Sequence, residues 1–430
     1  MAKTYLAPRM QRVRPSPTAE ISEKIRALRA AGRSVINLGE GELDFDTPMH
    51  VKEAGIKAIR DGETKYTAVS GTQALKEAII DKFRSENGLI YGSKEVIAGS
   101  GAKQIIFNAF LASVTEGDEV IVPSPYWVSY PDMIRLADGT PCIVACEENA
   151  GWKLRPEALA AAITPRTRWL VLNSPNNPTG AIYSRKDLAA LAEVLLAHDD
   201  ILVMADDIYE HMRYSGEFAT IAQVEPRLRD RTLTVNGVSK AYSMTGWRLG
   251  YAAGPEWLIS AIETLHSQST SNPSSISQFA AVHALKGGTG FMTAWIAQLK
   301  TRRDQAVLTL NKAKGLRCSA PEGAFYLFVN CAGTLGRRTP DGRTIDDDIG
   351  FANYLLDSVG VGTVHGSAFG MPQYIRIAYA VEDGVLADGC ERIMKACDAL
   401  RAHSDDRDQS FQRIATSVTR VRDGAVGCCF

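Results

Sequence analysis

The sequence predicts an α/β protein: a mostly parallel seven-stranded sheet with helices on both faces, plus a smaller α/β domain. Three observations lead there. Short apolar runs at 96–98, 119–122, 141–145, 169–172, 201–205, 233–235 and 249–253 alternate with amphipathic stretches, the rhythm of parallel strands joined by crossover helices. Past Pro255 the chain turns helical at 257–267, 276–285 and 291–314; strand-like runs then return at 324–329 and 374–378 around a helix at 351–358. Finally, 430 residues exceed what one hydrophobic core ordinarily serves.

Ahead of that alternation a helix is expected over 18–31, with Ile21, Ile25 and Leu28 on one face and Gly32 as its stop. A strand at 35–38 follows, then the loop Gly39-Glu-Gly41-Glu-Leu43-Asp-Phe45. Thr47 reads as a cap and Pro48 as the first residue of a helix running to Gly62. Another helix spans 72–87 with Leu75, Ile79 and Phe83 inward, and the last helix ends near His403. The expected division is an N-terminal segment at 1–46 that joins the small domain, a large ligand-binding domain at 47–318, a small C-terminal domain at 319–403, and a mobile polar tail at 404–430 with little apolar periodicity.

Charge and composition narrow the function. Lys+Arg 48 against Asp+Glu 49 gives no global attraction to nucleic acid or to an anionic membrane. No apolar run approaches the roughly 20 residues of a membrane span, and the basic N-terminus lacks the apolar segment of a signal peptide. A cytoplasmic protein is expected. Eight cysteines without C-x-x-C pairs read as reduced thiols, and the histidines do not cluster with them, so no metal site is expected.

In open α/β sheets, ligands bind beyond the carboxyl ends of the strands. After 96–98 comes Gly99-Ser-Gly101-Ala102-Lys103-Gln, which is either an ordinary strand-to-helix turn or an anion site made of helix N-terminal amides. After 119–122 comes Pro123-Ser-Pro125-Tyr-Trp127, where the indole either offers a face to a planar ring or caps the core. After 169–172, the turn Asn173-Ser-Pro-Asn-Asn177-Pro-Thr-Gly180 is stiffened by two prolines and presents the Asn177 amide.

After 201–205 come Asp206 and Asp207. A carboxylate ending so apolar a run is costly without a cationic partner such as a protonated ring nitrogen. One of the two is also placed to cap a helix starting at Ile208, and Tyr209 can return its hydroxyl to the same edge. Lys240 follows directly on the apolar run 233–238. Burial there lowers an amine pKa and yields the neutral nucleophile that Schiff-base chemistry needs; the ordinary alternative is a lysine snorkelling to solvent. Arg248 heads the next run. An anion nest, a flat ring, an amide donor, a buried carboxylate, an amine and an arginine are together what pyridoxal 5'-phosphate requires when held as an imine on lysine, with an acid opposite its ring nitrogen.

Two motifs carry a more specific resemblance, Ser174-Pro-Asn-Asn-Pro-Thr-Gly180 and Ser239-Lys240 with Thr245-Gly-Trp-Arg248. From about Arg14 to Leu400 the chain resembles the aspartate aminotransferase family of pyridoxal-phosphate enzymes, whose large domain has the architecture called fold type I. Tyr126-Trp-Val-Ser-Tyr130 and Gly101-Ala-Lys103-Gln resemble its bacterial branch. The resemblance implies that Lys240 forms the imine and shuttles the proton, that Asp206 keeps the pyridine nitrogen protonated, that Asn177 and Tyr209 bond the ring hydroxyl oxygen, and that Trp127 stacks. It gives the phosphate the amides of the Gly101-Ala102-Lys103 turn, Arg248, Ser239 and, from a partner subunit, Tyr66, which implies a homodimer with composite active sites. Arg376 would grip the substrate α-carboxylate, with Gly41 against the substrate. Lys103, Ser16 and Thr18 would hold the distal carboxylate, since 266–270 lacks the arginine of the animal branch.

The implied activity is ping-pong amino transfer between aspartate or glutamate and 2-oxoglutarate or oxaloacetate. Prephenate or aromatic substrates, or a β-lyase on the same fold, are the alternatives. Leu43 and Ala102 depart from the family's proline and glycine. An adenine-nucleotide enzyme is disfavoured because the nest lacks the G-x-x-x-x-G-K-[ST] spacing.

Overall fold

The computed structural model describes residues 5–402, so the polar tail expected at 404–430 lies outside the described residues. Helix α1 (Pro17–Ala30) and strand β1 (Ile36–Asn37) lead into α2 (Met49–Arg60) and α3 (Gln73–Asn87). The alternation then runs β2 (Val96–Gly99), α4 (Ala102–Ser113), β3 (Glu119–Ser124), α5 (Tyr130–Leu136), β4 (Thr140–Ala145), α6 (Pro156–Ala162), β5 (Thr167–Asn173) and α7 (Arg185–Leu196). It continues with β6 (Leu202–Asp206), α8 (Ile221–Val224), β7 (Thr232–Gly237), α9 (Val238–Ala241) and β8 (Gly250–Ala253). Three helices follow, α10 (Glu256–Gln268), α11 (Ser275–Lys286) and α12 (Met292–Leu310). The remainder is β9 (Tyr326–Asn330), α13 (Asp348–Val359), β10 (Val361–Gly362), β11 (Val364–His365), β12 (Tyr374–Ala378) and α14 (Asp383–Ala399).

All seven expected runs pair in one sheet, in the order β2-β8-β7-β6-β5-β3-β4, which is the expected fold class. The five strands from β4 to β7 are mutually parallel; β8 is antiparallel to both β7 and β2. Both faces are covered because side chains alternate along a strand while the whole run is apolar. Ile121, Leu170, Leu172 and Val203 pack with Leu188, Leu191 and Leu195 of α7. Their neighbours Val120, Val122, Trp169, Val171 and Met204 pack on the opposite face with Ile105 and Phe110 of α4 and Ile262 of α10.

A three-stranded antiparallel sheet, β11-β12-β9, and a parallel pair, β1-β10, make up the rest. The N-terminal segment is therefore stitched to C-terminal strands: Leu38 N–H donates to Gly362 O at 2.9 Å, and Ala378 N–H to Leu38 O at 2.7 Å. The following loop is clamped to α12. Arg302 donates through both terminal nitrogens to the Asp44 carboxylate at 2.7 and 2.9 Å, and through Nε to Asp383 at 2.6 Å. Phe45 stacks on Trp295, with ring centroids 4.7 Å apart.

Several local expectations are corrected. Pro48 is the N-cap of α2 in an extended conformation, and Met49 is the first helical residue. The long helix stops at Leu310, because the Asn311 side chain both accepts from Cys318 N–H at 2.9 Å and donates to Cys318 O at 2.8 Å, turning the chain back. No helix starts at Ile208; the chain makes a turn there, with Asp207 N–H spent on Val235 O at 2.9 Å. Strands β10 and β11 were not expected, and two residues each are too few to show a period. Among the described residues, no helix is long and apolar enough to cross a membrane.

Beneath the sheet edge lies a buried polar knot. Lys82 pairs with the Glu210 carboxylate and donates to Asn87 Oδ1 at 2.7 Å. Glu210 also accepts from Asn87 at 2.8 Å and from Asn236 at 2.7 Å. Glu86, Glu210 and His211 are close enough to hold a metal ion, but the Glu210 oxygens are already committed to these donors. Removing one member of a buried pair strands the other charge, at about 3–5 kcal/mol. Thermal unfolding should therefore show a large fall in midpoint for Lys82→Met, while Glu256→Gln at the exposed Lys94–Glu256 pair should change stability by less than about 1 kcal/mol.

Candidate active site

The carboxyl ends of β5, β6 and β7 bound a cavity of about 510 Å³ that β12 and α1 border from the other side. Ladder register brings the groups together. Asn173 at the end of β5 lies opposite Asp206 at the end of β6, and Asp206 lies opposite Val235 of β7. Beyond β7, the single turn α9 directs Lys240 into the cavity.

One wall is the N-terminus of α4. Gly101 stands before it at φ +90°, a conformation that favours glycine, and a Cβ there would come within 2.5 Å of Arg248 Nη2. No side chain caps this helix end, so its first amides, at the positive end of the helix dipole, are open to an anion. Arg248, itself in the left-handed region at φ 54°, donates to Thr245 O at 2.9 Å and to Ser100 O at 3.4 Å. Those bonds hold its guanidinium beside the nest.

Asp206 is buried. The Tyr130 hydroxyl donates to one carboxylate oxygen, and Ile208 N–H to the other at 3.4 Å. Burial outweighs both and pushes its pKa up to about 6: among the described residues no cation hydrogen-bonds it. Asp207 is not part of the cavity lining; burial pushes its carboxyl well above the usual range.

Lys240 Nζ donates to Gly41 O at 2.6 Å and sits 5.9 Å from the ring centres of both Tyr209 and Phe325. Burial pulls its pKa down to about 8; Glu42 opposes the fall, and Arg376 and Arg248 assist it. Arg376 donates to Asn177 Oδ1 at 2.9 Å and to Gly39 O at 2.6 Å, and lies over the Tyr326 ring at 4.5 Å. Its Nε is buried without a hydrogen-bond partner among the described residues. Such an orphaned donor is costly unless a ligand completes it.

Trp127 stands edge-on to Tyr130, with centroids 5.2 Å apart. Lys103 Nζ lies 4.9 Å from the indole centre, its pKa lowered by burial and then by Arg248. Ser16 and Thr18 hydroxyls are 2.9 Å apart. Ser239 lies beside Lys240 in the lining. Every candidate residue except Tyr66 lines this cavity; Tyr66 is 92 % exposed and stands outside it.

Sequence reasoning missed several lining or supporting groups. Tyr326 shares a 2.8 Å hydrogen bond with Tyr209, and its hydroxyl lies 2.5 Å from where a Cβ on Gly41 would stand. Tyr130, noted only as part of a motif, supports Asp206. Asn173 accepts from Asn177 N–H at 2.8 Å and donates to Asp206 O at 2.9 Å; its position at a strand end was the available signal. Ser22 and Arg26 of α1 also line the cavity.

The residues present fit a phosphorylated pyridine aldehyde. A buried carboxylate has no cation hydrogen-bonded to it among the described residues, a glycine cradle leaves helix amides open beside an arginine, and an amine weakened as a base sits between them. Among known proteins, the family model for aminotransferase class I and II matches residues 33–393. An aspartate/prephenate aminotransferase of Cereibacter sphaeroides is 53% identical, over 92% of this chain and 99% of that protein. An aspartate aminotransferase of Rhizobium meliloti is 52% identical, over 92% of this chain and 96% of its own. A crystal structure of the aspartate aminotransferase from Rhizobium meliloti superposes with a TM-score of 0.89 at 51% identity, covering 93% of this chain and 100% of that one. The Thermus thermophilus aspartate aminotransferase with maleate gives 0.85 at 40% identity, over 92% and 100%.

The lowered Lys240 pKa has a stability consequence. Below about pH 8 the amine is charged in folded and unfolded chains alike, so the folded state carries the full desolvation cost; the cost disappears as pH rises toward the ordinary lysine value. In ligand-free protein, Lys240→Met should be more stable than the parent at pH 7, by on the order of 3 kcal/mol, and the gap should close between about pH 8 and roughly pH 10.5. Denaturant titration across that range measures it; a Lys240→Met protein less stable at pH 7 would contradict the burial cost.

Proposed function

The chain belongs to the class I and II aminotransferase family, and from that premise we propose how its cavity works. The protein is a pyridoxal-phosphate-dependent aminotransferase that moves an amino group between aspartate or glutamate and a 2-oxo acid in two half-reactions at one site. The observation that carries this reading is the buried Lys240 amine, with pKa near 8, set between a carboxylate at Asp206 that no cation hydrogen-bonds among the described residues and the arginines Arg248 and Arg376.

Arg248, the amides of Ala102 and Lys103, and Ser239 hold the cofactor phosphate. Asp206 would face the ring nitrogen, Asn177 and Tyr209 would bond the ring hydroxyl oxygen, and Trp127 would stack on the ring. When bound, the cofactor supplies an aldehyde for the substrate amine and a ring that withdraws electrons from the substrate Cα. Arg376 binds the α-carboxylate as a fork, a geometry that fixes orientation as well as charge. Lys240 Nζ would take the proton from the substrate Cα, a task suited to a group whose pKa burial lowers to about 8. Lys103 with Ser16 and Thr18 receives the distal carboxylate. The first oxo acid leaves before the second enters, giving ping-pong kinetics.

The working unit is a homodimer in which Tyr66 from a second copy reaches the phosphate. In support, Tyr66 is strongly exposed, as are Met49, Ile56 and Ile59 on nearby α2. The division into a large part at 47–318 and a small part at 319–403 joined by 1–46 belongs to the same reading, with closure of the small part excluding water. Prephenate is kept as a second acceptor because it stands in the name of the relative from Cereibacter sphaeroides.

The purified protein should absorb visible light, and aspartate or glutamate should bleach that band without release of ammonia. Lys240→Ala should lower amino transfer from aspartate to 2-oxoglutarate by about 10²–10⁴-fold or more. Arg376→Lys should raise KM for both substrates about 10–100-fold, the value of a charge-assisted fork. A colourless protein, or normal turnover in Lys240→Ala, would overturn the assignment.

A further inference from the structure

Tyr326 lines the cavity and carries none of the roles proposed for its neighbours. Sheet register explains its place. In the antiparallel pair β9–β12, Tyr326 lies opposite Ala378, which makes Arg376 its diagonal neighbour two residues along the partner strand. Diagonal neighbours share a sheet face, and long side chains there meet; the Arg376 guanidinium accordingly lies 4.5 Å from the Tyr326 ring centre. The Tyr326 hydroxyl is delivered to that of Tyr209, with 2.8 Å between the oxygens. Gly41 closes another side, since a Cβ on it would come within 2.5 Å of the Tyr326 oxygen. Both tyrosines are buried, Tyr326 at 1 % and Tyr209 at 4 % exposure.

Distance alone does not say which oxygen donates in this bond, but proton counting does. A tyrosine hydroxyl has one proton to give and can accept as well, whereas an ionised ring oxygen on the cofactor can only accept. Tyr209 therefore spends its proton on the ring oxygen and accepts from Tyr326. Acidity points the same way. Burial raises both phenols, but at Tyr209 the neighbouring Tyr326 adds to the rise, which ends well above the ordinary value, whereas at Tyr326 the Arg376 charge opposes it. The more acidic O–H carries the more positive hydrogen and is the better donor.

We propose that Tyr326 is a positioning residue of this site: it donates to Tyr209 and thereby directs the single Tyr209 proton at the ring oxygen of the cofactor. This rests on the aminotransferase assignment. Hydrogen bonds in series polarise one another, each strengthened by about 10–30%, so Tyr209 becomes a stronger donor than a lone phenol. The ring oxygen carries most charge when the Lys240 nitrogen bonded to the cofactor has lost its proton. A stronger donor at that oxygen favours the deprotonated form and lowers the pH at which the visible absorbance changes.

The test is an absorbance titration of the holoenzyme for the parent, Tyr326→Phe, Tyr209→Phe and the double variant. Tyr326→Phe keeps the buried ring and removes only the hydroxyl. Its midpoint should rise by roughly 0.3–0.7 on the pH scale, the weakening of one bond in a series, and that of Tyr209→Phe by roughly 1–2, the loss of a bond to a charged group. The double variant should titrate with Tyr209→Phe, because Tyr326 acts through the Tyr209 hydroxyl. An unchanged or lowered midpoint in Tyr326→Phe, or shifts that add in the double variant, would overturn the proposal. A parent protein with no visible band would instead overturn the assignment on which it rests.

Discussion

The register of the parallel ladder β5–β6–β7 is the constraint on which the rest depends. It puts Asn173 and Asp206 level at one sheet edge and sends β7 on to α9, where Lys240 turns into the same space. A slip of one residue would move each of these groups to the opposite face. The antiparallel return of β8 completes the arrangement. Its first residue, Gly250, lies so close to Ala102 that a Cβ would overlap the amide nitrogen, and the Arg248 guanidinium meets the α4 N-terminus across that contact.

The resulting site is electrostatically expensive while empty. Lys240 and Arg376 are drawn below their ordinary pKa by burial, Asp206 is pushed above its own, and one Arg376 nitrogen has no hydrogen-bond partner among the described residues. These groups gain little from one another. They suit ligands that bring a phosphate, carboxylates and a ring cation, and binding such ligands stabilises the folded chain by mass action. Rigidity comes from the supporting shell: the Tyr130 hydroxyl on Asp206, Asn173 on Asn177, the Tyr209–Tyr326 bond, and the Arg302 clamp that holds the loop carrying Gly41.

Much of this was legible in the sequence. Parallel strands covered on both faces are near-continuous apolar runs, so all seven were visible, and the polar residues that end them stood out against that background. What was hidden depends on pairing at a distance. Tyr209 and Tyr326 are 117 positions apart, and nothing local marks either as the other's partner. The end of α12 hinges on Asn311 reaching Cys318, which a helical period running on to 314 conceals. At Ile208 the chain makes a turn where a helix start was one reading, and Asp207 N–H pairs with Val235 O of β7. Nothing in the sequence marked Ser22 and Arg26, which line the cavity only because the fold sets α1 against it. Tyr66 lies outside the cavity of the single chain, so the role proposed for it rests on a second copy.

The central claim is that one particular amine, Lys240, carries the cofactor. Treating the purified protein with borohydride and mapping its peptides by mass spectrometry tests that directly. A pyridoxyl adduct fixed on Lys240, and lost when aspartate is added first, is the expected result. An adduct on another lysine such as Lys103, or no adduct on coloured protein, would contradict it.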